Sequence, residues 1–473
     1  MMKRILILWL AVTGGFSALA LAPAPAPAGE STLSIPPIMG GLEKPKMLIV
    51  QPAVREPFAG QEQTVQELNE LFLFDLGFSD AFRVFAETPP AAFLQRQDVE
   101  RNNISYEDWR RLDVNGVMMD YIVKSELVPR GPGVFELDLM VYDLVDGVRV
   151  IGRAYGGPPH EPFARKNLRR AGHKATAEII SSLTQGQVKP ITETRFAFVN
   201  SNTAKKIKEI FVIDYDGWKD SVQQITFFNS VTNFPDWSPD GNELAYISFK
   251  NNWPDVFVHN LAQGKVVPAA QFKGTNNTPR WLPDGRNLIF SMSAYGNPEL
   301  SIIPKEGTKQ PRRLTNNNWP EVSPDVSPDG ARVAFVSNRV GSPQIYIMDM
   351  DGSNTQRISY VERKCESPFW SPVPVGGEYR IAFSGYYDNL QSDIYTVRPD
   401  GSDLQMLTEG KFENLNPTWS PDGQYIAFSS NRLGKHEIFI MPSDPTRLLP
   451  DGKKYYRVTS LAGENVAPSW SPN

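Results

Sequence analysis

Phe234-Pro-Asp-Trp237-Ser-Pro-Asp-Gly241 is the phrase from which the rest of the chain is read. It recurs as Thr278-Pro-Arg-Trp281-Leu-Pro-Asp-Gly285, Ser323-Pro-Asp-Val326-Ser-Pro-Asp-Gly330, Ser367-Pro-Phe-Trp370-Ser-Pro372, Asn416-Pro-Thr-Trp419-Ser-Pro-Asp-Gly423 and Ala467-Pro-Ser-Trp470-Ser-Pro472. The anchor positions are 44, 45, 44, 49 and 51 residues apart. A four-stranded propeller blade takes about 40–50 residues, so the period points to a β-propeller and away from shorter solenoid repeats.

The phrase is turn chemistry. Proline pre-sets φ, aspartate bonds the backbone ahead of it, and glycine accepts the left-handed geometry that sends one strand into the next. A second set of turns, Asp216-Gly217, Asp351-Gly352, Asp400-Gly401 and Asp451-Gly452, separates the third and fourth runs of their repeats. Between the turns lie short runs rich in β-branched and aromatic residues, such as Leu244–Ser248, Asp255–His259 and Lys265–Pro268, so each repeat reads as a four-stranded meander. The repeat region opens with strands two, three and four near Phe196 and ends on a lone first strand around Trp470. The two ends must complete one blade, which closes a ring of six and leaves no free sheet edge.

Upstream, residues 1–28 read as an export signal: Lys3 and Arg4, an apolar run from Ile5 to Val12, and small residues ending in Ala26-Pro27-Ala28. Residues 29–190 carry no repeat and read as a small α/β domain, with 29–44 as a Pro- and Gly-rich mobile extension. Strands are expected at Lys46–Gln51, Ala81–Phe85, Gly116–Val128, Val134–Asp143 and Arg149–Tyr155. Helices are expected over Gln63–Leu76, closed by Gly77, from Ser105 through Trp109 and Leu112, and over Phe163–Leu183. The fold class is thus α+β multidomain: signal 1–28, α/β domain 29–190, and a six-bladed propeller over 194–473.

Composition narrows the function. The 473 residues carry 48 Lys+Arg against 53 Asp+Glu, a net charge of −5 without basic blocks, which argues against a nucleic-acid binder. One cysteine, Cys365, forms neither a disulfide framework nor a cysteine metal cluster. No Gly-x-Ser-x-Gly elbow, phosphate loop or His-x-x-x-His pair is present. His160, His173, His259 and His436 fall in unlike contexts, with His173 on a polar stretch of helix, and each reads as a structural or solvated imidazole. Asp240, Asp284, Asp329 and Asp422 belong to turns, not to a metal site. No catalytic residue and no metal ligand is expected. What is left is surface: the loops joining strand four to strand one and strand two to strand three gather asparagines, mixed charges and the aromatics Trp253, Trp319, Tyr386, Tyr387 and Phe412 on one face. Polar loops around aromatic anchors suit protein recognition.

The export signal, the α/β domain and the six repeats, together with Leu168-Arg169-Arg170-Ala171-Gly172-His173, Thr194-Arg195-Phe196-Ala197-Phe198-Val199 and Asp214-Tyr215-Asp216-Gly217, resemble the TolB family, periplasmic components of the Tol–Pal envelope system. The resemblance implies a non-enzymatic periplasmic adaptor. Such a protein binds the peptidoglycan-associated lipoprotein Pal at the channel mouth and a TolA-like inner-membrane protein through the N-terminal extension, and supports outer-membrane integrity and constriction during division. It also implies that colicin-type toxins compete at the same mouth, and that the protein meets the membrane only through partners. No cofactor is required, though a weak Ca²⁺ in the channel is compatible with the family. Carried onto this chain, the partner-facing candidates are Thr275, Asn276, Asn277, Asn317, Asn318, Trp319, Glu321, Glu366, Asn414, Asn416, Glu464 and Asn465. The chain departs from the pattern at Val326, which replaces the repeated Trp, at Val373-Pro374 in place of Asp-Gly, and in its longer extension. Two other classes stay open on the residues alone: an exported propeller hydrolase or lyase, and a cell-wall glycan-binding module.

Overall fold

The computed structural model describes residues 43–472 except 102, 132–133, 157–162, 165–166, 203, 308–309, 362 and 388–390. The signal segment, the extension up to residue 42 and His160 lie outside the described residues.

The α/β domain is a sheet ordered Arg83–Ala86, Lys46–Ile49, Tyr121–Gly131, Val134–Asp143, Val148–Tyr155. The first three strands are parallel and the last three form antiparallel hairpins. Phe135, Leu137, Leu139 and Val141 alternate inward, as the period of two demands. Four helices complete it: α1 (Gln61–Phe78), α2 (Pro89–Arg101), α3 (Tyr106–Arg110) and α4 (Leu168–Leu183). Helix α1 runs through Gly77, which does not end it; the last turn is closed by the Ser79 N–H on the Asp75 carbonyl and the Asp80 N–H on the Gly77 carbonyl. Helix α2 has no counterpart in the sequence reading. It begins on Pro89-Pro90, where a proline costs the first turn nothing because that N–H has no intrahelical partner. The expected helix from Phe163 is shorter: Phe163–Ala164 pairs with Val134–Phe135 as a strand, and α4 starts at Leu168. Gly172 lets α4 approach α1, since a Cβ there would lie 3.0 Å from methyls of Leu68 and Leu71.

The propeller has six four-stranded antiparallel sheets. Blade 1 pairs Glu464–Trp470 with Arg195–Asn202, followed by Ile207–Asp214 and Gln223–Gln224. Blades 2 to 6 start at Thr232–Trp237, Asn276–Trp281, Glu321–Val326, Lys364–Trp370 and Asn414–Trp419. The ring closes as the repeat phase requires, with Trp470 opposite Phe196 and Val466 opposite Val199.

The repeated tryptophans stitch neighbouring blades. Trp237 Nε1 donates to the Ser469 carbonyl at 3.2 Å, Trp281 Nε1 to Asp236 at 3.1 Å, and Trp419 Nε1 to Phe369 at 3.0 Å. Trp470 donates instead to Thr194 Oγ1 at 2.8 Å, tying the last strand to the start of the ring.

A meander puts the two-to-three and four-to-one loops on one face and the remaining turns on the other. The α/β domain docks on the latter. Phe78 stacks on Tyr425 with centroids 4.4 Å apart, Phe74 meets Tyr456 at 5.1 Å, and Leu449 joins the same buried cluster. Gly217, at φ 72°, sits in this docked face; a Cβ there would fall 2.4 Å from the Val458 carbonyl oxygen. The opposite face is open.

Candidate functional site: the open face and the axial channel

Each innermost strand bulges at the residue that precedes its repeated proline. Those residues, Phe234, Thr278, Ser323, Ser367, Asn416 and Ala467, all hold left-handed backbone, with φ between 46° and 55°. Non-glycine residues rarely adopt it, and a β-branched one such as Thr278 least of all. Six copies of this strained unit line the axis around a cavity of about 30 Å³.

The residue before each tryptophan faces its neighbours across the blades: Asp236, Arg280, Asp325, Phe369, Thr418 and Ser469. Three of them form a buried charge cluster. Arg280 Nη1 is 3.0 Å from Asp236 and its Nε 3.7 Å from Asp325, while its guanidinium lies over the Phe369 ring. The Asp236 and Asp325 carboxylates also accept the backbone N–H groups of Trp281 and Trp370. Burial pushes the Asp325 carboxyl up to about 7, with Arg280 pulling against it.

The sign of the linkage follows. An unfolded aspartate titrates near 3.8, so between there and about 7 the folded state holds the extra proton. Stability therefore falls as pH rises through that window and levels off above it. Asp325→Asn keeps an oxygen for the Trp370 N–H and is expected to flatten the decline, read by urea denaturation across the window. An unchanged slope would move the titration elsewhere.

In the channel Asp236 and Asp325 are engaged by a guanidinium and by backbone N–H groups, and among the described residues no group of three His, Cys, Asp or Glu is arranged to hold a metal ion. The turn aspartates act locally: Asp240, Asp284, Asp329 and Asp422 each accept a backbone N–H two residues ahead.

The twelve partner-facing candidates divide. Thr275, Asn318 and Trp319 are exposed, and Asn277, Asn317, Glu366 and Glu464 half-buried. Glu366 pairs with Lys364 at 3.2 Å and Glu464 with His436 at 3.0 Å. Asn416 turns into the channel, its amide 3.1 Å from Ser367 Oγ. Asn276, Glu321, Asn414 and Asn465 are fully buried and are not surface residues. They belong to a polar interlock between blades that sequence reasoning missed. Asn465 Nδ2 donates to Glu437 at 2.9 Å, which also takes the Thr459 hydroxyl; Asn414 donates to Asp393, which takes Thr408. Glu321 takes Arg339 at 2.9 Å and the Asn317 amide at 3.0 Å. The signal was available: these residues, with Thr232, all stand five positions before the repeated Trp or Val. A polar residue repeated around the ring serves the ring, not a single docking site.

On the open face the exposed apolar side chains include Phe227 (69%), Trp253 (65%), Tyr295 (63%) and Trp319 (45%), each on a different loop. Tyr386, read as a rim aromatic, is buried under Lys364. On the docked face His173 is also buried. It bonds Asp75 at 2.8 Å, and Asp75 further accepts the Thr176 and Tyr215 hydroxyls at 2.6 Å each. The polar helix stretch around His173 is therefore the inner side of the domain junction.

Fold and site define a class: a six-bladed propeller headed by a small α/β domain, with an open rim on the face away from that domain. A family model described as the TolB beta propeller domain matches residues 182–375. The Tol-Pal system protein TolB of Bordetella pertussis is 28% identical over 426 residues, covering 89% of this chain and 88% of that one. A TolB homolog of Chlorobium luteolum is 31% identical over 339 residues, 72% of each chain. The crystal structure of TolB from Acinetobacter baumannii superposes with a TM-score of 0.69 at 23% identity, over 91% of this chain and 97% of that one. The chain belongs to the TolB family.

Proposed function

We propose that this protein is a periplasmic adaptor of the Tol–Pal system. It holds a Pal-like lipoprotein against the open rim of its propeller and a TolA-like protein through residues 29–44, and so supports envelope integrity and constriction at division. Colicin-type toxins would compete at the same rim. Family membership supports the system, and the signal-like residues 1–28 support the compartment. No described helix is long and apolar enough to cross a membrane.

One observation carries the docking assignment. The α/β domain occupies one face of the disc, while the other presents exposed aromatics on separate loops around the axial channel. Large aromatics left in water are the residues that dominate binding energy once a partner covers them.

Trp319→Ala combined with Asn277→Ala is expected to raise the Kd for the soluble domain of the Pal-like lipoprotein by about tenfold or more. Trp319 stands in solvent and Asn277 is half-buried, so the melting temperature should stay within a degree or two, roughly the effect of a surface substitution. Calorimetric titration and thermal scanning read both, and an unchanged Kd would move the docking site off this sector.

A further inference from the structure

We propose that docking is off-axis: the partner engages the sector of rim from blade 1 to the blade 3–4 junction, and does so with an acidic protein surface. The inference rests on the adaptor reading above and adds the sector and the charge.

The loops of that sector are 203–206, 225–231, 249–254, 271–275, 293–298 and 314–320. They carry Lys205, Lys206, Lys250 and Lys273 and not one aspartate or glutamate, in a chain with more acidic than basic residues. Lys205, Lys206 and Lys273 are exposed, and none takes part in any ion pair among the described residues. Lys250 lies over the Phe228 and Phe257 rings, 4.4 and 3.9 Å from their centroids. The exposed anchors Phe227, Trp253, Tyr295 and Trp319 stand on these same loops.

The other half of the rim is mixed in charge: Arg363 and Lys411 are exposed and in no ion pair among the described residues, but carboxylates lie on the same loops. Glu413 and Glu464 share His436, and Glu409 meets Lys454. Arg339 is drawn inward onto Glu321, and Lys435 onto Glu437. Exposed cations on loops free of carboxylates are thus found with Phe227, Trp253, Tyr295 and Trp319, while Tyr360 and Phe412 stand on the half where both signs mix.

Such an arrangement divides the labour of binding. Aromatic anchors supply affinity, while unpaired rim charge sets association rate and selects the sign of the partner. The occupant is a folded protein and not a polyanion such as an anionic membrane. The whole chain is net negative, so a long-range negative field would repel it, whereas a carboxylate patch acts over roughly one Debye length of 8–10 Å.

The test uses the chain from residue 29 and the soluble domain of the peptidoglycan-associated lipoprotein of the same organism. Binding kinetics are recorded in low salt and in roughly 0.5 M NaCl, where charge is screened to about 3–5 Å. Lys205→Glu/Lys206→Glu/Lys273→Glu should slow association about tenfold or more in low salt and much less in high salt. Arg363→Glu/Lys411→Glu, on the other half, should stay within about twofold. Unchanged melting temperatures certify both folds. If the wild type binds and the triple variant binds as fast, or both variants lose equally, the sector assignment is wrong while the adaptor reading stands. A triple variant that keeps the lipoprotein but loses stripped sacculi or anionic vesicles would make the occupant a glycan or a lipid surface and overturn the proposal. A wild type that does not bind the lipoprotein domain at all would remove the adaptor reading itself.

Discussion

Asp75→Ala is expected to cost about 3–5 kcal/mol and to split one unfolding transition into two, with the α/β domain melting first. Asp75 is wholly buried on α1. Its Oδ2 takes the His173 ring nitrogen and the Thr176 hydroxyl from α4, and its Oδ1 takes the Tyr215 hydroxyl from blade 1. Behind it, Asp216 accepts from Arg169 and lies 3.5 Å from the other His173 nitrogen. One carboxylate therefore joins both helices of the domain to the propeller.

Burial pulls the His173 pKa down, but the Asp75 and Asp216 carboxylates outweigh it and the net shift is upward. Without Asp75 the His173 ring and a phenol are left in the interior short of a partner, and each unpaired polar group costs its desolvation. The stacked contact of Phe78 on Tyr425 remains, so the domain should stay tethered yet lose its shared cooperativity. Urea denaturation followed by two probes, tryptophan fluorescence and far-ultraviolet dichroism, reads the split. Coincident single transitions would show that the apolar contact alone couples the domains.

Trp470→Ala should cost about 3–5 kcal/mol as a buried large-to-small change, and its consequence is topological as well as energetic. The indole packs on Phe196 at 4.4 Å and bonds Thr194, and Ser469 beside it receives the Trp237 indole from blade 2. Losing it loosens the one seam in the ring where strands from opposite ends of the chain meet. Trp370→Ala is the control. That indole is as buried, but its Nε1 has no acceptor among the described residues. The denaturation midpoint should fall further for Trp470, and binding of a dye that reports exposed core should rise more there than for Trp370. Equal losses would show that the seam is no weaker than any other blade contact.

The propeller was legible because turn chemistry is local: Ser-Pro-Asp-Gly sets its own geometry wherever it stands, and six copies fix the number and phase of the blades. The left-handed ring at the axis was not legible. The residue before a proline is ordinarily extended, and Thr278, Ser323 or Ala467 carries no mark that packing around an axis forces it otherwise. The buried asparagines misled for a related reason. Asn276 and Asn414 sit where a loop becomes a strand, and their burial comes from the next blade, a partner that no local window contains. At the junction, His173 looked polar because Arg169, Arg170 and Lys174 surround it in sequence. In space it faces Asp75, 98 residues away. The open rim was found as a surface, but its division into a carboxylate-free half and a mixed-charge half needed the loops to be placed around the ring.

The closing strand has a temporal meaning. Residues 464–470 clasp residues 195–202, so blade 1 lacks its inner strand until synthesis has passed Trp470. Hydrophobic faces of the earlier sheets wait open for that moment. A nascent molecule stalled anywhere short of Glu464 is an unbuckled belt, recognisable to chaperones and proteases as incomplete.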